Sequence, residues 1–203
     1  MNDLHAAVIH DVKNQLAELA LRLGERGDAQ QEMVIAMDAA RRLSEMLLVI
    51  RQEAELLSVN PDSVDTADFL AILAAEYREL FPSLEFDIDT AQAPAFAFFD
   101  DALVRLALSN AVHNACRSAR TGVRLAAREQ DGMLVLEVAD DGPGYPDDML
   151  ANMGDMPASA SARGTGLGLY LARKIAELHR LEGRRGRIAL SNDKGAVFRM
   201  FLP

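Results

Sequence analysis

Six apolar residues, Leu4, Val8, Val12, Leu16, Leu19 and Leu23, recur at spacings of four and three and fall on one stripe of a helix. Gly24-Glu25-Arg26-Gly27-Asp28 breaks that pattern. A second stripe follows: Met33, Ala36, Ala40, Leu43, Leu47, Ile50, Ala54 and Leu57. Its alternating three-and-four spacing is that of a coiled-coil seam. Two antiparallel helices that share one seam cannot enclose a core. The economical solution is a homodimer, in which two hairpins form a four-helix bundle.

Between Leu57 and Thr66 a proline, Pro61, sits among the polar turn formers Ser58, Asn60, Asp62, Ser63 and Asp65, which marks a linker. Beyond it the pattern becomes mixed. A helix is expected over 67–80, strands over 84–89 and 95–99, and a helix over 100–120 capped by Asp100 or Asp101. A hairpin over 122–129 and 133–139 turns around Gln130-Asp131-Gly132. A helix over 166–181 and a closing hairpin over 187–191 and 196–202 follow. The fold class is therefore α+β, with a helical hairpin over 1–57, a linker over 58–66 and a second domain over 67–203.

Of the 203 residues, 50% are hydrophobic and 26% charged, an ordinary balance for a soluble globular chain. No apolar run approaches the ~18–20 residues of a membrane span. The stretch from Met1 to His5 has no signal-peptide character, so a cytoplasmic location without membrane insertion is expected. The single cysteine, Cys116, reads as a buried thiol. A net charge of −10 argues against nucleic acid as a partner. It does not argue against a nucleotide, which backbone N–H groups and a magnesium ion can hold.

Four segments carry candidate chemistry. Asp140-Asp141-Gly142-Pro143-Gly144 follows the apolar run Leu134–Val138. A carboxylate with glycines at a strand end can receive a planar amino-bearing base, and the same residues also make an ordinary turn. Arg163-Gly164-Thr165-Gly166-Leu167-Gly168-Leu169 opens a helix, where N–H groups face an anion. It matches neither a P-loop nor the dinucleotide fingerprint, and a flexible hinge is its plain alternative. Asn110 and Asn114 stand four apart on one helix face, and amide oxygens suit a hard cation such as Mg²⁺ carried in with phosphates. His113 reads as a packing or surface residue. Lastly, on a wheel with Val12 at 0°, His10 falls at about 160° and Asn14 at about 200°. Both share the face opposite the seam, and Asp11 adjoins the histidine. That set suits a histidine nucleophile oriented by an acid.

These four segments, in this order, resemble the catalytic core of sensor histidine kinases. His10-Asp11-Val12-Lys13-Asn14 resembles the H-box, and Asn110 with Asn114 the N-box. Asp140, Gly142 and Gly144 resemble the first glycine box, and Gly164, Gly166 and Gly168 the second. Val64-Asp65, the run from Asp101 through Val104-Arg105-Leu106, and Gly195-Ala196-Val197-Phe198 with Leu202-Pro203 are also similar to the family. The resemblance implies a dimerisation and histidine-phosphotransfer hairpin followed by a two-layer α/β ATP-binding sandwich of Bergerat type. It implies that His10 accepts phosphate and Asp11 its proton. Asn114 would hold Mg²⁺, with Asn110 a second contact, and Asp140 would bind the adenine amino group. Gly164, Thr165, Gly166, Leu167 and Gly168 would shape the phosphate-binding lid. The implied partner is a response-regulator receiver domain, toward which Asp11 and Asn14 match the spacing of kinases that are also phosphatases. A separate sensor protein bound to the bundle could deliver the signal.

The chain departs from the family pattern in several places. Gln15 stands where the family has proline. Arg117 and Ser118 replace a lysine and an aromatic, so phosphate contact falls to Arg117. No phenylalanine lies between the glycine boxes, and the lid from Tyr145 to Arg163 is short. Two other classes therefore stand beside the kinase. One is an ATP-independent phosphotransfer hub of the same architecture. The other is an ATPase or serine kinase with the same ATP domain that acts on a protein partner.

Overall fold

The computed structural model describes residues 2–26, 30–53, 58–151 and 167–203. The chain divides into two compact units, Met1–Leu57 and Ser58–Pro203. The first holds helices α1 (Asn2–Arg26) and α2 (Gln30–Glu53), packed on each other. Ala20 on α1 and Ala36 on α2 are buried, whereas Val12 is 40% and Leu19 47% exposed. Ala20 lies about 80° around the wheel from Val12. The contact with α2 thus lies to one side of Val12 and Leu19, which stay open, while Leu16 and Leu23 are half-buried. Ile35, Met37 and Met46 of α2 are also exposed.

The second unit runs β1 (Asp62–Asp65), α3 (Thr66–Leu80), β2 (Glu85–Gln92), β3 (Phe96–Phe99), α4 (Asp101–Ser118), β4 (Gly122–Gln130), β5 (Met133–Asp140), α5 (Asp147–Ala151), α6 (Leu167–Leu178), β6 (Arg180–Leu181), β7 (Arg184–Arg185), β8 (Arg187–Asn192) and β9 (Ala196–Leu202). Five strands form one mixed sheet in the order β2-β4-β5-β9-β8. β2 and β4 run parallel, and the other neighbours are antiparallel. The period-2 alternation separates the two faces of this sheet. Leu125, Val138, Phe198 and Leu190 pair across it, as do Ala127, Leu136, Met200 and Ile188. Those rows pack with Phe69, Leu70 and Leu73 of α3, Val104, Leu108 and Val112 of α4, and Ile175 of α6 in one core. One layer of helices thus covers one face of the sheet.

The opposite face carries the alternate residues. Glu137 is buried between two arginines: Arg128 Nη1 and Arg199 Nε both donate to its Oε2, at 3.2 and 2.6 Å. Arg187 lies 3.5 Å from the Phe201 ring centroid. Among the described residues no helix packs on this face, where long arginine stems can cover apolar surface.

Local chemistry fixes the helix starts. Asp65 Oδ1 accepts from Asp68 N–H to cap α3, and Asp100 Oδ1 accepts from Leu103 N–H to cap α4. Two expectations are corrected. Part of the stretch read as linker, Asp62–Asp65, is a strand that pairs with Phe96–Phe99. The last helix ends at Leu178, not 181. Arg180–Arg185 instead form a hairpin whose turn residues, Glu182 and Gly183, have φ of 49° and 80°. Among the described residues no helix is long and apolar enough to cross a membrane.

His179 fastens the end of α6 to the start of α4. Its Nε2 accepts from Asp100 N–H at 3.1 Å, which leaves Nδ1 to donate to Ile175 O at 2.8 Å. Burial holds its pKa below the ordinary 6.5. The unfolded chain therefore takes up this proton first as pH falls. The stabilisation is complete above about pH 6.5 and declines below it, by at most about 1.4 kcal/mol per pH unit. The difference in denaturation free energy between the unsubstituted chain and His179→Gln should shrink from pH 7.5 to 5.5. A constant difference would show that the imidazole is not held neutral.

Candidate functional site

The sheet alternation that builds the core also aims Asp140. It continues the helix-facing row Leu134, Leu136, Val138 at the end of β5, opposite Val123. Asp140 is buried, and burial raises its pKa. Its Oδ1 accepts from Gly142 N–H at 2.8 Å and from Ala196 N–H at 3.4 Å. Both bonds land on one oxygen and fix the plane of the group.

Asp141, the next residue, is shifted the other way. It accepts from the Thr121 hydroxyl and from Arg120, Thr121 and Gly122 N–H groups at 2.7 to 3.3 Å, and these bonds hold its carboxyl well below the usual range. It ties the corner between α4 and β4 to the end of β5. Gly142 then runs so close to Ser118 O that a Cβ would collide with it.

From the same helix, Asn110 is buried and Asn114, one turn on, is exposed, as is Arg117. Gly168, in the first turn of α6, packs on Asn110, where an added Cβ would stand 3.3 Å from its Cγ. Residues of three expected segments thus meet around α4: Asp140 and Gly142 at its end, Gly168 at Asn110. Leu167 begins α6, and Gly144 has φ of 83°. Gly164, Thr165 and Gly166 lie outside the described residues. Asp11 and Asn14 are exposed on α1, in the other unit. His10 is on the α1 backbone, and its side chain is outside what is described.

His113 packs edge-on against Tyr77 and Phe81, at 6.4 and 6.0 Å between ring centroids. Cys116 is buried near Asp140, and desolvation pushes its thiol up to about 12. Sequence reasoning did not find Asn192 on the β8–β9 turn, and it marked Gly195 and Ala196 only as family-like, not as partners of Asp140. Their composition is that of any polar turn.

Residues 99–203, just over half of the chain, match the family described as histidine kinase-, DNA gyrase B-, and HSP90-like ATPase. The chain belongs to that ATPase family. ATP binding is the property that this membership supports. The sequence is 29% identical over 189 residues to the sensor protein kinase PilS of Pseudomonas aeruginosa, across 86% of this chain and 36% of that one. It thus spans about a third of the length of that curated relative. The crystal structure of full-length ShkA in complex with AMPPNP superposes on all of this chain and 46% of its own, at a TM-score of 0.70 and 22% identity, a likeness of fold. The ATP-binding domain of PrrB from Mycobacterium tuberculosis aligns with 72% of this chain and 98% of its own, at a TM-score of 0.55 and 27% identity.

Gly142→Ala places a methyl group against backbone and against the Asp140 carboxylate. Overpacking of this kind costs ~1–3 kcal/mol. The melting temperature should drop by several degrees and ATP affinity should fall about tenfold or more, read by thermal denaturation and calorimetry. Unchanged values in both would mean that the Gly142 segment relaxes freely.

Proposed function

We propose that this chain is the core of a cytoplasmic two-component histidine kinase. ATP binds in Ser58–Pro203, with its adenine amino group donating to Asp140. His10 is the phosphoacceptor, and a receiver-domain aspartate takes the phosphoryl group from it. The supporting observation is the extent of the similarity to PilS. It covers 86% of the chain, and Ser58–Pro203 is under three-quarters of it. The match therefore reaches into the helical hairpin that carries His10.

In the proposed reaction an unprotonated ring nitrogen of His10 attacks the γ-phosphorus in line. The bond from that phosphorus to the bridging oxygen breaks, ADP departs with the electron pair, and Asp11 accepts the proton from the other ring nitrogen. The residue types on α4 fit a hard cation brought in with the phosphates: Asn114 is exposed one turn beyond Asn110, and both carry amide oxygens. Asn114 would hold magnesium, with Asn110 a second contact, and the ion would offset charge on the phosphoryl oxygens. Arg117 and the glycines of residues 164–168 would contact the phosphates. Val12 and Leu19, left open on α1, support a homodimer through the hairpin.

With radiolabelled ATP, the chain should acquire a label that is stable to alkali and labile to acid, and His10→Gln should abolish it. An acid-stable, alkali-labile label would indicate a hydroxyl acceptor, and no label would indicate a phosphotransfer hub.

Asn14 is exposed one turn beyond His10. Its amide would hold water in line with the aspartyl phosphate of a docked receiver. Asn14→Ala should lower receiver dephosphorylation about 10–100-fold, the scale for losing one positioning hydrogen bond, with autophosphorylation changed far less. Alanine is the better helix former, so a weakened helix would not explain the loss. Paired assays on one preparation decide it. Equal loss in both reactions, or in neither, would remove Asn14 from the phosphatase role.

A further inference from the structure

The turn between β8 and β9 is far in sequence from the Asp140–Tyr145 segment, yet it holds that segment at several points. Asn192 Oδ1 accepts from Tyr145 N–H at 2.7 Å, and Asn192 Nδ2 donates to Tyr145 O at 3.0 Å. Both ends of the amide are thus used on the backbone of one residue, which also fixes the orientation of the amide. Gly144 lies flat against the same group, where an added Cβ would be 2.8 Å from Asn192 Cγ. At the other end of the turn, Ala196 N–H donates to Asp140 Oδ1 at 3.4 Å, and Gly195 backs directly onto the Asp140 carbonyl. Asp193 N–H to Gly195 O, at 2.9 Å, closes the turn itself.

Asn192 is exposed at the end of its strand and is not part of the apolar core. Hydrophobic packing does not account for its paired contact. We infer that Asn192 is a positioning residue of the nucleotide site: by locking Gly144 and Tyr145 it holds the loop that aims the Asp140 carboxylate at the base. Asp140 and Tyr145 are the two ends of one short segment. The Gly142 N–H bond to Asp140 Oδ1 lies between them. Releasing the Tyr145 end loosens that bond and blurs the direction of the carboxylate. The consequence is a loss of base discrimination, because the phosphate contacts assigned to α4 and α6 do not involve Asn192.

This inference rests on the reading of Asp140 as acceptor for the adenine amino group, and the test separates the two. Affinities for ATP and for inosine triphosphate, which has a carbonyl where adenine has the amino group, are measured on the full chain. The measurements include Asp140→Asn, Asn192→Ala and Asn192→Asp. The unsubstituted chain should prefer ATP by about 10–100-fold, the scale of a hydrogen bond to a charged acceptor. Asp140→Asn should abolish that preference. Asn192→Ala should reduce it to within about threefold while changing inosine triphosphate affinity little. Asn192→Asp keeps the acceptor for Tyr145 N–H and loses the donor, and should fall between. If Asn192→Ala and Asn192→Asp keep the full preference, or if they weaken both nucleotides equally, the positioning role is overturned with the Asp140 reading intact. If the unsubstituted chain shows no preference, the Asp140 reading fails and this inference with it.

Discussion

The Asp141 carboxylate gathers three successive backbone N–H groups, from Arg120, Thr121 and Gly122, and the Thr121 hydroxyl. Those donors sit where α4 ends and β4 begins, and the acceptor sits just past the end of β5. One side chain thereby satisfies a corner whose N–H groups have no helix or strand partner before Gly122. It also sets the distance between α4 and β5. Gly142 can then pass against Ser118, Asp140 can face the helix layer, and Asn110, higher on the same helix, can receive Gly168.

Adjacent aspartates consequently do different work. Burial is the main influence on Asp140 and raises its pKa, whereas hydrogen bonds dominate at Asp141 and lower it. A buried carboxylate with one oxygen already satisfied is a good acceptor for one well-placed donor from a ligand. A carboxylate saturated by backbone donors is an anchor. Glu137 solves the same problem on the far face of the sheet, where two guanidinium groups meet a buried acid.

The helical unit follows another logic. α1 and α2 bury alanines against each other and leave larger apolar side chains exposed. Close approach of two helices at small residues does not cover a full stripe, and Val12 and Leu19 remain for another surface. The acidic and amide side chains of Asp11 and Asn14 lie away from it, exposed.

Short-range patterns were enough to place most elements. Helices are expected over 67–80 and 100–120, where α3 and α4 stand, with Asp100 or Asp101 at the second start, and Asp131-Gly132 marks a tight hairpin, whose φ values of 55° and 70° require residues that tolerate the left-handed region. Local pattern also singled out Asp140, Gly142 and Gly168, because carboxylates and glycines at element ends are conspicuous, and Asn110, because it stands four residues from Asn114 on one helix face. What local pattern could not reveal depends on residues distant in the chain. Asp62–Asp65 has little strand propensity apart from Val64, and it becomes a strand because Phe96–Phe99 lies alongside it. His179 interrupts a periodic helix because its ring reaches Asp100. Asn192 looks like any turn residue until Tyr145 is brought beside it. Hydrophobic period and turn chemistry are written into neighbouring residues, whereas register and side-chain clamps arise only when the sheet closes and brings distant segments within hydrogen-bond reach.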